Sequence, residues 1–182
     1  MYHYILKSLK ISFWILVPLL FISNSKVDAL KIPNDIEGNY SFKSSGAVEN
    51  SLQGKVSFNT NTKSSNNGTP FSTLSLKFVN DQKSLEHTMQ FIISERNRSA
   101  VLTAGKYGIK ENIDGFLNNF DGVFGYANIN ELGEEPFFTT TGKIVIARIG
   151  EDDLEGYVNV TLRNNGGKKI NLKGDFHAIK RN

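Results

Sequence analysis

The chain has 182 residues, 21 Lys and Arg against 18 Asp and Glu, and no cysteine. Disulfide staples and thiol nucleophiles are therefore excluded, and stability has to come from a buried core, which a chain of this length can build within one domain. The formal charge of +3 is modest and is no nucleic-acid signature, which needs a basic patch or stripe.

At the N-terminus, Lys7 and Lys10 precede an apolar run from Ile11 to Ile22, and a short polar stretch then ends at the small residue Ala29. That is the layout of a cleaved secretory signal peptide over residues 1–29. Twelve apolar residues fall short of the roughly 20 that a bilayer-spanning helix needs. Val27 and Ala29 satisfy the small-residue rule for cleavage after Ala29, and Ser23 with Ser25 offers a second cut after Ser25. Removing the leader takes away three lysines and one aspartate, so +3 becomes +1. The expectation is an exported protein, periplasmic or secreted, with a single β domain over residues 30–182 and no permanent membrane span. The sole tryptophan, Trp14, lies in the leader.

Past the leader, "GNYSFKS" and "QGKVSFNT" alternate apolar and polar residues at the period of a half-buried strand. Asn61 to Pro70 contains no apolar residue until its end and reads as a mobile loop. "FSTLSLKFV" and "SLEHTMQFIISE" then alternate again. Leu74, Leu76 and Phe78 share one face, as do Leu85, His87, Met89, Phe91 and Ile93, and the polar "NDQK" between the runs predicts a hairpin. "VLTAGKYGI" reads as a shorter strand with a bend or close approach at Gly105. From Lys110 to Phe138 the apolar positions Phe116, Phe120, Val123, Phe124 and Tyr126 are irregularly spaced among Asp-Gly turn signals, which favours a short helical turn or folded loop over a strand.

The last stretch, Gly142 to Ile179, holds three strands with Ile144 and Ile146 in the first, Val158, Val160 and Leu162 in the second, and Ile170, Leu172, Phe176 and Ala178 in the third. The turns fall at Glu151–Asp153 and at Asn164–Gly167, where glycine and asparagine accept positive φ. Short connections imply a meander. With no helical periodicity in residues 30–182, the predicted fold is all-β: one antiparallel sandwich or barrel of about seven to nine strands. The runs "GKIVIARI", "LEGYVNVTLRN" and "KKINLKGDFHAI", with "AGKYGI" before them, resemble uncharacterised exported β-proteins of Bacteroidota, mainly over residues 142–178. Many of that group look like lipoproteins, and this chain departs from them in having no cysteine to carry the lipid. The resemblance implies a β fold and carries no activity.

Candidate chemistry is sparse. Asp175 and His177 leave the same face of the last strand and could act as a metal or acid/base pair, but two ligands are too few for zinc; a solvated sheet face is the simpler reading. His87 aims inward and reads as a core or rim histidine with a hydrogen-bond partner. Glu151, Asp152, Asp153 and Glu155, with Asn118, Asn119 and Asp121, offer oxygen ligands suited to calcium, yet their spacing does not match an EF-hand. Glu134 and Glu135 are adjacent, so on a strand they point apart and suit a glycosidase poorly. Asn39, Asn67, Asn97 and Asn159 match the glycosylation pattern, and chance accounts for them. Lys168, Lys169, Lys173, Lys180 and Arg181 read as solvated surface.

No catalytic residue, metal ligand or cofactor is assigned from these patterns, and the ligand-binding residues stay undefined. The expected function is a non-catalytic exported scaffold that binds a protein, glycan or small molecule outside the cytoplasm, and not nucleic acid. The sequence Asn61 to Pro70, the sequence Lys110 to Phe138, or the sheet face bearing Lys173, Asp175 and His177 would supply its surface. The alternative is a lipocalin-like barrel carrying a small apolar ligand, with Phe78, Met89 and Phe91 lining a cavity and Phe116 to Tyr126 as a lid. A small hydrolase ranks last, since neither a nucleophile motif nor a carboxylate pair stands out.

Overall fold

A computed structural model describes residues 37–64, 68, 70–80, 82, 86–95, 102–109 and 121–181. Nine strands run in order: β1 Asn39–Gly46, β2 Ser51–Ser64, β3 Pro70–Asn80, β4 His87–Glu95, β5 Gly105–Gly108, β6 Gly122–Ile129, β7 Phe137–Ile149, β8 Asp153–Arg163 and β9 Lys169–Lys180. A 3-10 turn at Asn130–Leu132 follows β6. Eight of the strands pair antiparallel with their neighbours around a closed ring, β1-β2-β3-β4-β6-β7-β8-β9 and back to β1. The predicted all-β fold is thus a barrel. β5 is the extra strand.

Period-two alternation places the core. Along β8, Leu154, Gly156, Val158, Val160 and Leu162 face in while Glu155, Tyr157, Asn159 and Thr161 face out. An eight-stranded barrel has an interior just wide enough for side chains to fill, and aromatic rings fill much of this one. Phe78 lies 5.2 Å from Tyr40 and Phe42, 5.7 Å from Phe91 and 5.5 Å from Phe176, centroid to centroid. Edge-on and tilted contacts at these separations are favourable beyond the area they bury. The outer wall is largely polar, with lysines on β1, β2, β3 and β9. That is the reverse of a membrane-spanning barrel, which turns an apolar band outward.

Glycines at inward positions make room for the rings. At Gly125 a Cβ would overlap the Phe91 ring, and at Gly156 it would meet the Phe176 ring. This is why the Lys110–Phe138 reading needs correction over Gly122–Ile129, which is a regular strand. Val123, Gly125, Ala127 and Ile129 face in and Phe124, Tyr126 and Asn128 face out. The inward glycine and the outward aromatics together hide the period from a hydropathy reading.

The loop expected over Asn61 to Pro70 is also shorter than predicted. β2 runs to Ser64, with Asn61 opposite Thr73 and Ser64 opposite Pro70. Ladder hydrogen bonds come from the backbone, so an all-polar segment extends a hairpin without apolar side chains. The leader, Leu85, Asn67, Asn97, Phe116, Asn118, Asn119 and Phe120 lie outside the described residues. The final meander matches expectation, with β7–β8 and β8–β9 ladders over the predicted strands.

Two irregularities in β7 shape the wall. Register shifts fall between Thr139 and Thr141 and between Ile146 and Arg148. β7 meets β6 only at Phe137 and Phe138; further along it pairs with β5, while Ile109 bridges Val123 of β6. β5 therefore enters the split between β6 and β7. At the opposite seam β1 starts at Asn39, and beyond that point β2 and β9 pair directly and in parallel, Ser57 with Ile179 and Phe58 with Lys180.

Filling the space under Phe91 should test the inward register of β6. Gly125→Ala is expected to lower stability by about 1–3 kcal/mol, the usual range for overpacking. A urea midpoint equal to that of the unmodified protein would place residue 125 on the outer face.

Candidate functional site

The barrel interior is packed through its middle and opens at one end, where β2 finishes, β3 starts and the β7–β8 turn lies. A partly enclosed cavity of about 270 Å³ sits there. Phe58, Leu74 and Leu154 belong to its apolar part and Leu102 and Ile149 extend it, while Thr60, Thr62 and Ser72 add hydroxyls. The alternation of β2 and β3 produces this mixed lining. Both strands continue past the core, so the inward positions Phe58 and Leu74 are followed towards the opening by Thr60 and Thr62 on β2 and by Ser72 on β3. Apolar walls with a few placed polar groups are the usual make-up of a small-molecule site.

The β7–β8 turn contributes Ile149, Gly150, Glu151 and Leu154 to the same cavity, and several contacts hold the turn in place. The Gly150 amide donates to the Asp153 carbonyl at 2.8 Å, and the Lys180 amide donates to the Asp152 carbonyl at 2.8 Å. On the outer face, the Arg148 guanidinium donates through Nη1 to Asp153 Oδ1 at 3.1 Å and through Nη2 to Asp153 Oδ2 at 2.5 Å and Glu155 Oε1 at 2.8 Å. His177 Nε2 lies 3.2 Å from Asp153 Oδ2. Hydrogen bonds from Arg148, and for Asp153 also from His177, hold both carboxyls below their ordinary values. Carboxylates so stabilised are weak bases.

Of the Asp175 and His177 pair weighed from the sequence, His177 meets a different carboxylate. Asp175 shares its face but stands exposed opposite Tyr157 and Ser41, and the carboxylate that reaches His177 is Asp153 of β8. The β8–β9 register is the cause: it sets His177 opposite Glu155, with Asp153 two residues along on the same face, and the second register shift in β7, which pairs Arg148 with Glu155 immediately after Ile146 with Gly156, turns Arg148 outward to join them. Asp153, Glu155 and His177 could offer three metal-ligand atoms within 4.8 Å of one another, but the Arg148 fork takes both carboxylates. Of the acidic set that suggested calcium, Asp153 and Glu155 are committed to this network. Glu135 accepts from Asn164 Nδ2 at 2.9 Å and so braces the β8–β9 turn.

His87 aims inward as predicted and is only 1% exposed. Tyr40, across the barrel, brings its hydroxyl within 2.5 Å of His87 Nε2. Burial raises the Tyr40 pKa, so the phenol beside the imidazole stays protonated. Sequence reading placed His87 inside but missed Tyr40, which carries no signal beyond ordinary alternation. Phe78, Met89 and Phe91, expected to line a cavity, are fully buried in the packed middle. Asn159 is exposed on β8 as its alternation implied.

Tyr40→Phe should lower stability by about 1–3 kcal/mol, because it leaves a buried imidazole nitrogen without that partner; an unchanged urea midpoint would contradict the contact. The acidic network predicts a pH signature. A carboxyl with a depressed folded-state pKa stabilises the fold above its unfolded pKa, and that contribution is lost as pH falls through the folded value. Arg148→Met should therefore lower the urea midpoint at pH 7, and the gap to the unmodified protein should close on acidification below about pH 4. A gap constant from pH 7 to pH 2 would show that Arg148 acts through packing alone.

No family model, curated protein or solved structure matches this chain.

Proposed function

We propose that the chain is a non-catalytic binding barrel that takes a small, largely apolar molecule at its open end and, given the leader-like N-terminus, works outside the cytoplasm. The observation that carries this reading is the cavity of about 270 Å³ at the barrel mouth. Its apolar part is continuous with the core at Phe58, Leu74 and Leu154, and its hydroxyls come from the extended ends of β2 and β3. An apolar group entering there leaves water for an apolar surface, at roughly 25 cal/mol per Å² buried. The threonines and Ser72 suit a ligand with one polar end.

The carried molecule lies at the mouth and not in the middle of the barrel. The ligand sits against Leu74, Leu102 and Leu154 at the mouth, with the Phe78, Met89 and Phe91 layer as packed support beneath. The hairpin clamped by Arg148 forms one wall, and its rigidity limits the ordering cost of binding.

Titration of the protein with 1-octanol, followed by methyl NMR, tests this. Saturable shifts are expected at Leu74, Leu102, Ile149 and Leu154, and Thr62→Trp, which places a bulky ring at an exposed rim position, should abolish them. Methyl signals that stay unchanged up to the solubility limit of octanol would reject the mouth as a ligand site.

A further inference from the structure

The outer wall bears a second concavity, of about 510 Å³, where β3, β2 and the end of β9 lie side by side. It exists because β1 stops short. Gly38 passes between Val56 of β2 and the β9 backbone, with the Val56 amide donating to the Gly38 carbonyl at 3.0 Å. β9 then runs on beside β2, and the Arg181 amide donates to the Phe58 carbonyl at 2.8 Å.

Register places the outward side chains. Ser57 has Lys77 opposite it on β3 and Ile179 opposite it on β9. Two residues along β2 stands Lys55, opposite Val79, and two residues beyond Ile179, just past the end of β9, stands Arg181. Three cations thus surround one hydroxyl, with Val79 and Ile179 as apolar neighbours. Glu37 is the acid in the lining and takes Lys55 at 2.6 Å. Lys180 also borders the concavity, and its Nζ lies 3.4 Å from the Glu151 carbonyl.

Among the described residues, no side-chain hydrogen bond or ion pair engages Lys77, Arg181 or the Ser57 hydroxyl. Among the described lining residues, four cations stand with one acid. Like charges gathered this way repel one another unless an anion joins them, and a concave wall of one sign concentrates the field.

We propose that this concavity binds a phosphate monoester, its oxygens taken by Lys77, Arg181 and the Ser57 hydroxyl and its organic part lying on Val79 and Ile179. Arg181 supplies a planar fork suited to two phosphate oxygens, and Lys77 supplies a point charge. The concavity lies on the outer wall and borders the mouth cavity at Lys180, which lines both. The group can be presented by a soluble ester or by a lipid headgroup, and the chemistry recognised is the same.

Isothermal titration with inorganic phosphate and phenyl phosphate tests the site, alongside co-sedimentation with phosphatidylcholine vesicles with and without phosphatidic acid. Phenyl phosphate should bind once per chain and more tightly than inorganic phosphate. The double variant Lys77→Gln, Arg181→Gln should weaken it roughly tenfold or more, while Lys143→Gln, a charge change on β7 outside the concavity, should leave it unchanged. Both replaced side chains are exposed, so the urea midpoint should hold and show the fold intact. Binding of the soluble ester without vesicle recruitment identifies a soluble ligand; recruitment by phosphatidic acid that depends on Lys77 and Arg181 identifies a headgroup. Failure of every probe to bind, or equal weakening by Lys143→Gln, would overturn the assignment.

Discussion

The structure depends on one ladder, the pairing of the first strand with the last. Asn39 to Gly46 of β1 face His177 to Ile170 of β9 across eight residue pairs, and this contact closes a sheet whose other neighbours are near in the chain. An open sheet would leave two long edges of unpaired backbone groups and half of its apolar face in water. Closure satisfies the edges and turns every inward position towards a common axis. The ring cluster of Tyr40, Phe42, Phe78, Phe91 and Phe176 forms because β1, β3, β4 and β9 bring those positions together.

Unequal strand lengths on a closed ring give the two concavities. β2 and β3 outrun the packed middle and leave the mouth cavity, while β1 begins late and lets β2 and β9 meet in parallel on the outer wall. Small departures from regular pairing also carry weight. The register shift before Arg148 changes which face that side chain occupies, and the turn that walls the mouth is held by the resulting fork.

Charge follows the same geometry. Asp153, Glu155, Arg148 and His177 form a compensated group on one part of the wall, and Lys55, Lys77, Lys180 and Arg181 form a group with one acid on another. A nearly neutral sum thus conceals two local fields of different character. Composition alone reports the sum, because it holds no information about which strands become neighbours.

The sequence by itself determined that the domain is all-β, where the last three strands lie and which of their residues are buried, because period-two alternation is a local property of a half-buried strand. It also placed His87 inside. β6 was obscured by an inward glycine and outward aromatics, and the polar end of β2 by the absence of any apolar signal. Only the tertiary structure decided between sandwich and barrel, paired His177 with Asp153 instead of Asp175, joined Tyr40 to His87 and gathered Lys55, Lys77 and Arg181 around Ser57. Each of these rests on register between segments far apart in the chain, or on a bulge that shifts a side chain from one face to the other, and neither leaves a mark in local hydropathy.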